Sequence, residues 1–419
     1  MSTTRRWAIL LALILAGEMV FALPFHLPRF FRSTLLDVYD LTNTQLGDAF
    51  AFYGAFAMVS YFVGGPIADR FSPRLLLSLS LVLTALGGIL MLRLSPGDSL
   101  NVVFAYWGVS TILLFWSGLI RATREWGGPL SQGRAFGFLD GGRGLAAAVF
   151  ASITTALLVQ SLGVSYEDAT QAERLSSFSN VIYFYSGITF ATAILVWLVL
   201  PNSEVLGRRS STLTSVITVV SKPVVWLQGL IIVCAYCGYK GLDNYGLYVE
   251  QVLGKTNEES NTFMSMTAYT RVVGAIGAGF LADRISASRV ISICFLLLLV
   301  CYGLLSRFNA ETVELSIVLL NLIITFVAVY SLRGVYFALI EQAKIPSHLT
   351  GTATGVISVL GFTPDFFFNA VSGRILDASP GLAGFQNYFL LLAGFAFVGL
   401  LATLLFSRLV RVSVSTKQT

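Results

Sequence analysis

The chain has 419 residues, of which 55% are hydrophobic and only 12% are charged. Since an ordinary soluble protein carries about 25% charged residues, this composition excludes a water-soluble globule of such length. The net charge of +5 comes from basic residues spread among the ends of apolar segments, which argues against a nucleic-acid partner.

Apolar segments of about 20 residues recur along the whole chain, and each is long enough to cross a lipid bilayer as a helix. The sequence lacks the alternation over about 10 residues that marks the strands of an outer-membrane barrel. We therefore predict an all-α polytopic membrane protein with twelve transmembrane helices. In chain order, these predicted helices cover roughly residues 7–28, 43–68, 73–94, 101–125, 134–161, 178–200, 223–253, 258–282, 288–306, 313–343, 350–376 and 384–408.

A polar segment divides the chain nearly in half. Residues 201–222 include Asn202-Ser203-Glu204 and the run from Gly207 to Thr212, which together predict a linker. We expect it to join an N-terminal six-helix bundle, residues 1–200, to a C-terminal one, residues 223–419. Because Lys and Arg gather on the side of this linker, it and both termini are predicted to be cytoplasmic.

One motif occurs after the second predicted helix and again after the eighth. The first copy reads GPIADRFSPR and the second GFLADRISASR, and their aspartates are 283 − 69 = 214 residues apart. We interpret the motif as a tight, charged inner link that acts as a gate, and the chain as two copies of one unit. The gating residues are Gly65, Asp69, Arg70, Arg74, Gly279, Asp283, Arg284 and Arg289.

At these two motifs the chain resembles the major facilitator superfamily of transporters, although Ser72-Pro73 replaces a glycine that the family motif usually has. The resemblance implies two pseudo-symmetric six-helix bundles and a central site near the membrane midplane. The stretches 136–144 and 333–338 resemble the organophosphate:phosphate antiporter and anion-permease branch. That branch typically places Arg in helices 1 and 7, whereas here helix 7 offers Lys240 and helix 1 offers His26 and Arg29. A carboxylate or another organic anion is therefore expected as much as a phosphate.

We single out eleven ionisable side chains in or next to the predicted helices, because a charge at the bilayer centre costs at least about 2.5 to 3.5 kcal/mol. Without the histidine, six are basic and four are acidic, so the surplus is two positive charges, which an anion would relieve. Their alternative role is to pair within the protein, as Lys240 with Asp243, Asp140 with Arg143, or Arg29 with Glu18. The eleven are Glu18, His26, Arg29, Arg121, Asp140, Arg143, Lys240, Asp243, Arg271, Arg333 and Asp365.

The 214-residue offset also aligns His26 with Lys240 and Arg29 with Asp243. Helices 1 and 7 face each other across the central cavity in the superfamily, so the resemblance implies that these groups surround one site. Guanidinium and ammonium groups bind carboxylate or phosphate oxygens, and a neighbouring Tyr can donate a further hydrogen bond. The predicted substrate-binding residues are His26, Arg29, Arg121, Tyr236, Tyr239, Lys240, Asp243, Arg271, Arg333 and Tyr336.

Proton coupling needs a group that changes its protonation inside the membrane. Burial favours the neutral form of a carboxyl group, and histidine titrates near neutrality, so the candidates are Glu18, His26 and Asp365. Asp365 follows Thr363-Pro364, and its alternative role is to cap a helix at a proline break.

We therefore predict a secondary active transporter that moves a small organic or phosphorylated anion by alternating access, with protons or by exchange for a counter-anion. It is expected to be a monomer in a bacterial inner membrane, without a metal or cofactor. The sequence shows no catalytic nucleophile, metal cluster or nucleotide loop, so an enzyme is not expected. Two alternatives are a proton-coupled exporter of drugs or amphipathic metabolites, and a transporter-like membrane sensor.

Overall fold

The computed structural model describes residues 3–68, 70–93, 96–127, 132–202, 213–308, 313–343, 345 and 350–415. Regular structure in these ranges is helical throughout. By length and composition nine helices there can cross a membrane, and a tenth span results if Thr3–Met19 and Ala22–Phe30, bent by 46°, count as one. Predicted helices 2 and 8 form but do not meet the same criterion. The all-helical class is confirmed, and the number twelve stays a prediction.

The described residues of the first half of the chain form nine α-helices. They are α1 Thr3–Met19, α2 Leu27–Phe30, α3 Arg32–Val38, α4 Asn43–Ala68, α5 Pro73–Arg93, α6 Pro96–Ile112, α7 Phe115–Gly127, α8 Gln132–Leu162 and α9 Gln171–Val199. A π-helix, Ala22–His26, lies between α1 and α2. Predicted helix 6 was wrong by seven residues at its start, because the side chains of Thr170 and Glu173 form a capping box that begins α9 earlier.

The second half of the described chain contains eleven α-helices. They are α10 Leu213–Val220, α11 Pro223–Gly241, α12 Tyr245–Gln251, α13 Asn257–Thr267, α14 Thr270–Ile285, α15 Ala287–Leu305, α16 Leu315–Val335, α17 Leu339–Gln342, α18 Thr350–Gly361, α19 Pro364–Ala378 and α20 Leu382–Ser415. Two 3₁₀ turns, Leu242–Asn244 and Tyr336–Ala338, follow α11 and α16.

Six predicted helices are interrupted rather than continuous, namely the first, fourth, seventh, eighth, tenth and eleventh. Proline explains two of these breaks, because Pro24 and Pro28 lack the N–H that would continue α1, and Pro364 occupies the first position of α19. A break frees peptide groups, which at membrane depth must be satisfied within the protein or by water in a cavity. Such breaks therefore mark places where polar side chains and solutes can be accommodated.

The chain forms two compact units. The first consists of Met1–Arg208, Gly246–Tyr269 and Asn369–Arg374, and the second of Arg209–Tyr245, Thr270–Phe368 and Ile375–Thr419. The apolar core of the first unit includes Leu13, Val20, Leu77, Leu81, Phe115 and Val196, all buried.

Glycines allow α4 and α19 to approach closely within the first unit. A Cβ atom on Gly47 would overlap the carbonyl oxygen of Asn369, and one on Gly373 would overlap that of Asn43. Beside this crossing, the guanidinium of Arg374 donates to the Asp48 carboxylate with an N–O distance of 2.7 Å. Small residues permit this backbone contact between membrane helices.

Candidate functional site

A completely buried lysine lies between two carboxylates in the second unit. Lys240 is 0% exposed, and its Nζ is 3.4 Å from Oδ1 of Asp365 and 3.7 Å from Oδ2 of Asp243. The hydroxyl of Tyr236 donates to the Asp365 carboxylate at 3.1 Å. We call these four residues the lysine cluster. The pairing of Lys240 with Asp243 was predicted as the alternative to substrate binding, and Asp365 adds a second partner.

Helix breaks position the members of the lysine cluster. Tyr236 and Lys240 are one helical turn apart on α11, and Asp243 lies in the 3₁₀ turn that follows it. Asp365 is the second residue of α19, where the helix dipole favours a negative charge. Its side chain reaches across to α11. Thr363, not Asp365, occupies the N-cap position of α19, and no side chain caps that helix end, so the predicted capping role of Asp365 was wrong.

An arginine stacked on tyrosine rings adjoins the lysine cluster. The guanidinium carbon of Arg333, near the end of α16, is 3.8 Å from the ring centre of Tyr239 and 5.8 Å from that of Tyr236. Such cation–π contacts hold the guanidinium flat against a ring. Tyr336, one turn further, packs its ring on Phe337 at 4.8 Å, and its carbonyl accepts from Gln228.

A second group of charges, with buried and partly exposed members, lies in the first unit. Glu18, next to the end of α1, has Oε1 at 3.1 Å from Nε2 of His26 and Oε2 at 3.1 Å from Nε of Arg143. Arg143 on α8 also has NH1 at 3.9 Å from Oδ1 of Asp140. We call these four residues the glutamate cluster. His26 lies in the π-helix, and its ring contacts Tyr185 edge-on at 5.6 Å.

Three further residues that were predicted to bind substrate, Arg29, Arg271 and Arg121, are not members of the two clusters. Arg29 on α2 and Arg271 on α14 are buried. Arg121 is half-buried on α7 and donates to Oε1 of Glu125 at 2.9 Å and to the carbonyl of Phe71 at 3.3 Å, beside the first motif copy. The structure therefore places Arg121 at the link between α4 and α5 and assigns it to neither cluster.

Sequence reasoning missed Arg32, which is almost completely buried. Its Nε and NH2 atoms donate to Oδ1 of Asn43 at 3.3 and 3.1 Å. Arg32 fell just beyond the predicted end of helix 1, although its spacing of three residues from Arg29 was a usable signal. It adds a further buried positive charge to the first unit.

The two motif copies are only partly described. Asp69 lies outside the described residues, and Gly65 lies within α4. Arg70 is exposed, and the guanidinium of Arg74 stacks on Trp197 at 4.3 Å. In the second copy, Gly279 lies within α14, whereas Asp283, Arg284 and Arg289 are exposed around the link between α14 and α15. Ser286 makes this link tight by adopting a φ of +113°.

A buried polar network joins α13 to other parts of the first unit. The side chain of Asn257 donates to Oγ of Ser33 at 3.0 Å and accepts from Thr34 at 3.1 Å and from Asn261 at 2.8 Å. The backbone N–H of Asn257 donates to Oε1 of Glu167 at 3.2 Å. We call these five residues the Asn257 network. They lie at helix ends that the sequence predicts to be on the outer side.

Glu167 contributes a pH-dependent element to this network. Hydrogen bonds from the Ser165 hydroxyl, and then from backbone N–H groups including that of Asn257, hold the pKa of Glu167 below its usual range. A carboxyl group with a lowered pKa stabilises the folded state fully above its ordinary value. That stabilisation is lost as the pH falls through the lowered value, so acid weakens this contact.

Comparison with known proteins gives consistent results. A family model described as Major Facilitator Superfamily matches residues 9–369. Inner membrane protein YihN of Escherichia coli (strain K12) is 27% identical over 409 residues, covering 95% of this chain and 94% of that protein. A solved inward-facing, unoccupied bacterial homolog of the human lysosomal transporter Spinster has a TM-score of 0.71 at 15% identity, covering 97% of this chain and 98% of that one. A D-xylose-proton symporter has a TM-score of 0.74 at 13% identity, covering 96% of each chain. These structures share the fold.

Proposed function

Since the chain belongs to the major facilitator superfamily, it is an integral membrane transporter, and we propose that it moves a small organic or phosphorylated anion by alternating access. The proposal includes twelve spans in two six-helix bundles joined by residues 201–222, with both termini in the cytoplasm of a bacterium and with the protein as a monomer. Coupling is to protons or to exchange of a counter-anion.

The observation that carries this proposal is the balance of buried charge. Apart from His26, the ionisable side chains that are buried in the described chain comprise four bases and two acids, a surplus of 4 − 2 = 2 positive charges. A surplus of one sign of charge at membrane depth is costly, and a bound anion lowers that cost. These residues are Arg29, Arg32, Lys240, Arg271, Glu18 and Asp243.

We assign roles by position. Lys240, Arg333 and Tyr239 bind the anion in the second unit, because a mobile ammonium, a flat guanidinium and a phenol adjoin there. Arg29 and Arg271 supply buried positive charge in the two units. Glu18 and His26 form a pair whose side chains can share a proton. The contact of Arg121 with Phe71 favours a role at the inner gate instead.

A thermal-shift screen tests the proposal. The purified protein is heated with organic carboxylates, phosphorylated and sulfonated anions, neutral sugars and nucleosides, and organic cations, each at the same ionic strength. At a ligand concentration of 100 times the dissociation constant, binding stabilises the folded state by about 2.7 kcal/mol, so a true ligand raises the melting temperature. We expect at least one class of anion to do so. Stabilisation by neutral or cationic compounds, with none by anions, would contradict the proposal and favour a drug exporter.

The Asn257 network yields a prediction about gating. Asn257→Ala removes the side chain that contacts Ser33, Thr34 and Asn261, and each lost hydrogen bond is worth about 1 kcal/mol net. We expect the outer side to open more often, since a shift of about 1.4 kcal/mol changes a two-state population roughly tenfold. The readout is the rate at which an impermeant maleimide labels a cysteine placed at buried Ser265, in a background without the four native cysteines.

The matched control is Glu258→Ala, which alters the exposed neighbour of Asn257 on the same helix. Labelling should rise several-fold in the Asn257 variant and stay at the starting rate in the control. Equal labelling in all three proteins would show that the network does not hold the outer side closed.

A further inference from the structure

The charged side chains in contact with Tyr236 or with Lys240 have formal charges that sum to zero. Lys240 and Arg333 contribute +2, and Asp243 and Asp365 contribute −2, so the total is zero. The surplus of buried positive charge therefore arises at other positions. Arg29 and Arg32 belong to the first unit, and Arg271 belongs to another helix of the second unit.

This balance sets a condition for binding an anion at Lys240. A monoanion alone would leave the group with a net charge of −1, and a proton alone would leave it with +1. Adding both returns the total to zero. Because net charge is expensive away from water, the empty state and the state that holds both a proton and an anion are favoured over either singly loaded state.

Geometry identifies Asp365 as the carboxylate that takes the proton. It lies on α19, across a helix break from α18, and its side chain is 13% exposed, whereas Asp243 is 1% exposed. Within the described chain, the ionisable groups that act on Asp365 include Lys240, Tyr236 and Cys237 on α11, and Asp243 in the following turn. The Tyr236 hydroxyl now donates to the carboxylate, and it can rotate to accept from the acid form.

We propose that Asp365 and the transported anion compete for Lys240, so that a proton on Asp365 releases Lys240 to bind the anion. In this step an Oδ–H bond forms at Asp365 with a proton from water, and the ion pair between Asp365 and Lys240 is exchanged for one between Lys240 and the anion. One proton enters with each monoanion. The inference rests on the proposed function. It names Asp365 as the residue that couples proton binding to anion binding, and it specifies that the proton and the anion enter together.

Two measurable consequences follow. Anion affinity rises as the pH falls, by at most tenfold per pH unit through the range in which Asp365 titrates. By reciprocity, anion binding takes up a proton. An exchanger without protons shows neither effect.

The experiment is calorimetric titration with gluconate and with inorganic sulfate, which both keep a constant charge between about pH 5.5 and 8.5. For the wild-type protein we expect tighter binding at low pH. Repeating the titration in buffers of different ionisation enthalpy should give an uptake of one proton for each bound monoanion. In Asp365→Asn, which mimics the protonated acid, affinity should stay near the low-pH value throughout, and the uptake should fall to zero.

Glu258→Gln is the control, because it removes an exposed carboxylate of the first unit and leaves the charges around Lys240 unchanged, with Asp365 still able to titrate. It should retain the pH slope that Asp365→Asn loses. Even if a variant fails to fold, the measurement of proton uptake by the wild-type protein shows whether anion binding is coupled to a proton. Binding of either anion without pH dependence or proton uptake overturns this inference and leaves the proposed function intact. Failure of both anions to bind at any pH overturns the inference, and failure of every anion in the thermal screen overturns the proposed function.

Discussion

Replacing Lys240 by Gln is expected to lower anion affinity by at least about 100-fold and to destabilise the protein by about 3 to 5 kcal/mol. The amide cannot neutralise Asp243 and Asp365, which now lie 3.7 and 3.4 Å from the ammonium. Their uncompensated charge would also repel the incoming anion. Calorimetric titration measures the affinity, and the thermal midpoint of the purified protein reports the stability.

Two further variants separate binding from folding in this prediction. Lys255→Gln removes a partly exposed lysine at the protein surface that pairs with Glu259 at 3.0 Å, and such surface pairs contribute only about 0 to 1 kcal/mol. It should therefore change neither quantity appreciably. The double variant Lys240→Gln with Asp365→Asn should recover stability because it removes one stranded charge, but it should not recover binding. Wild-type affinity in Lys240→Gln would show that Lys240 serves only the internal ion pair.

Replacing Glu18 by Gln should also be severely destabilising, by about 3 to 5 kcal/mol, because it leaves the partly buried guanidinium of Arg143 without the carboxylate that now lies 3.1 Å away. His26 loses the same acceptor. The thermal midpoint of the purified protein measures the effect. Glu258→Gln, an exposed carboxylate in the first unit, is the control and should leave the midpoint unchanged within error.

A double-mutant cycle shows whether this effect comes from the pair. Adding Arg143→Gln to Glu18→Gln should cost much less than the sum of the two single changes, because the pair is then removed together. Proton uptake on anion binding should persist in Glu18→Gln if Asp365 is the coupling residue. If uptake disappears from a folded Glu18→Gln protein, the coupling site is the glutamate cluster.

The two clusters differ in a way that bears on coupling. Glu18 lies between a permanent cation and a histidine, and the second carboxylate near Arg143, that of Asp140, is 41% exposed and therefore solvated by water. Asp365 shares a single ammonium with Asp243. An arriving anion therefore changes the charge balance of the lysine cluster more than that of the glutamate cluster. For this reason we place the coupled proton in the lysine cluster and assign the glutamate cluster a smaller part in proton exchange.

Individual helices differ in how closely they follow the sequence pattern. Residues 43–68 were predicted as a helix and form α4, Asn43–Ala68, since a long apolar run between polar links has few alternative structures in a bilayer. The start of α9 was misplaced because a capping box outweighed the polar composition of residues 171–177. The breaks in the helices were not predicted, except at Pro364, which the sequence analysis already took as a proline break.

The sequence by itself determined the helical membrane class, the repeat with its 214-residue offset, and which helices carry charges. It also predicted the local pair of Lys240 with Asp243, because a spacing of three residues already places two side chains on one helix face. Only the tertiary structure decided that Lys240 meets Asp365, that Glu18 meets Arg143, and that Asn257 meets Ser33 and Thr34. A membrane helix is apolar on nearly every face. Its sequence therefore does not specify which face is turned towards the protein or which neighbouring helix that face contacts. Those choices depend on packing between segments far apart in the chain.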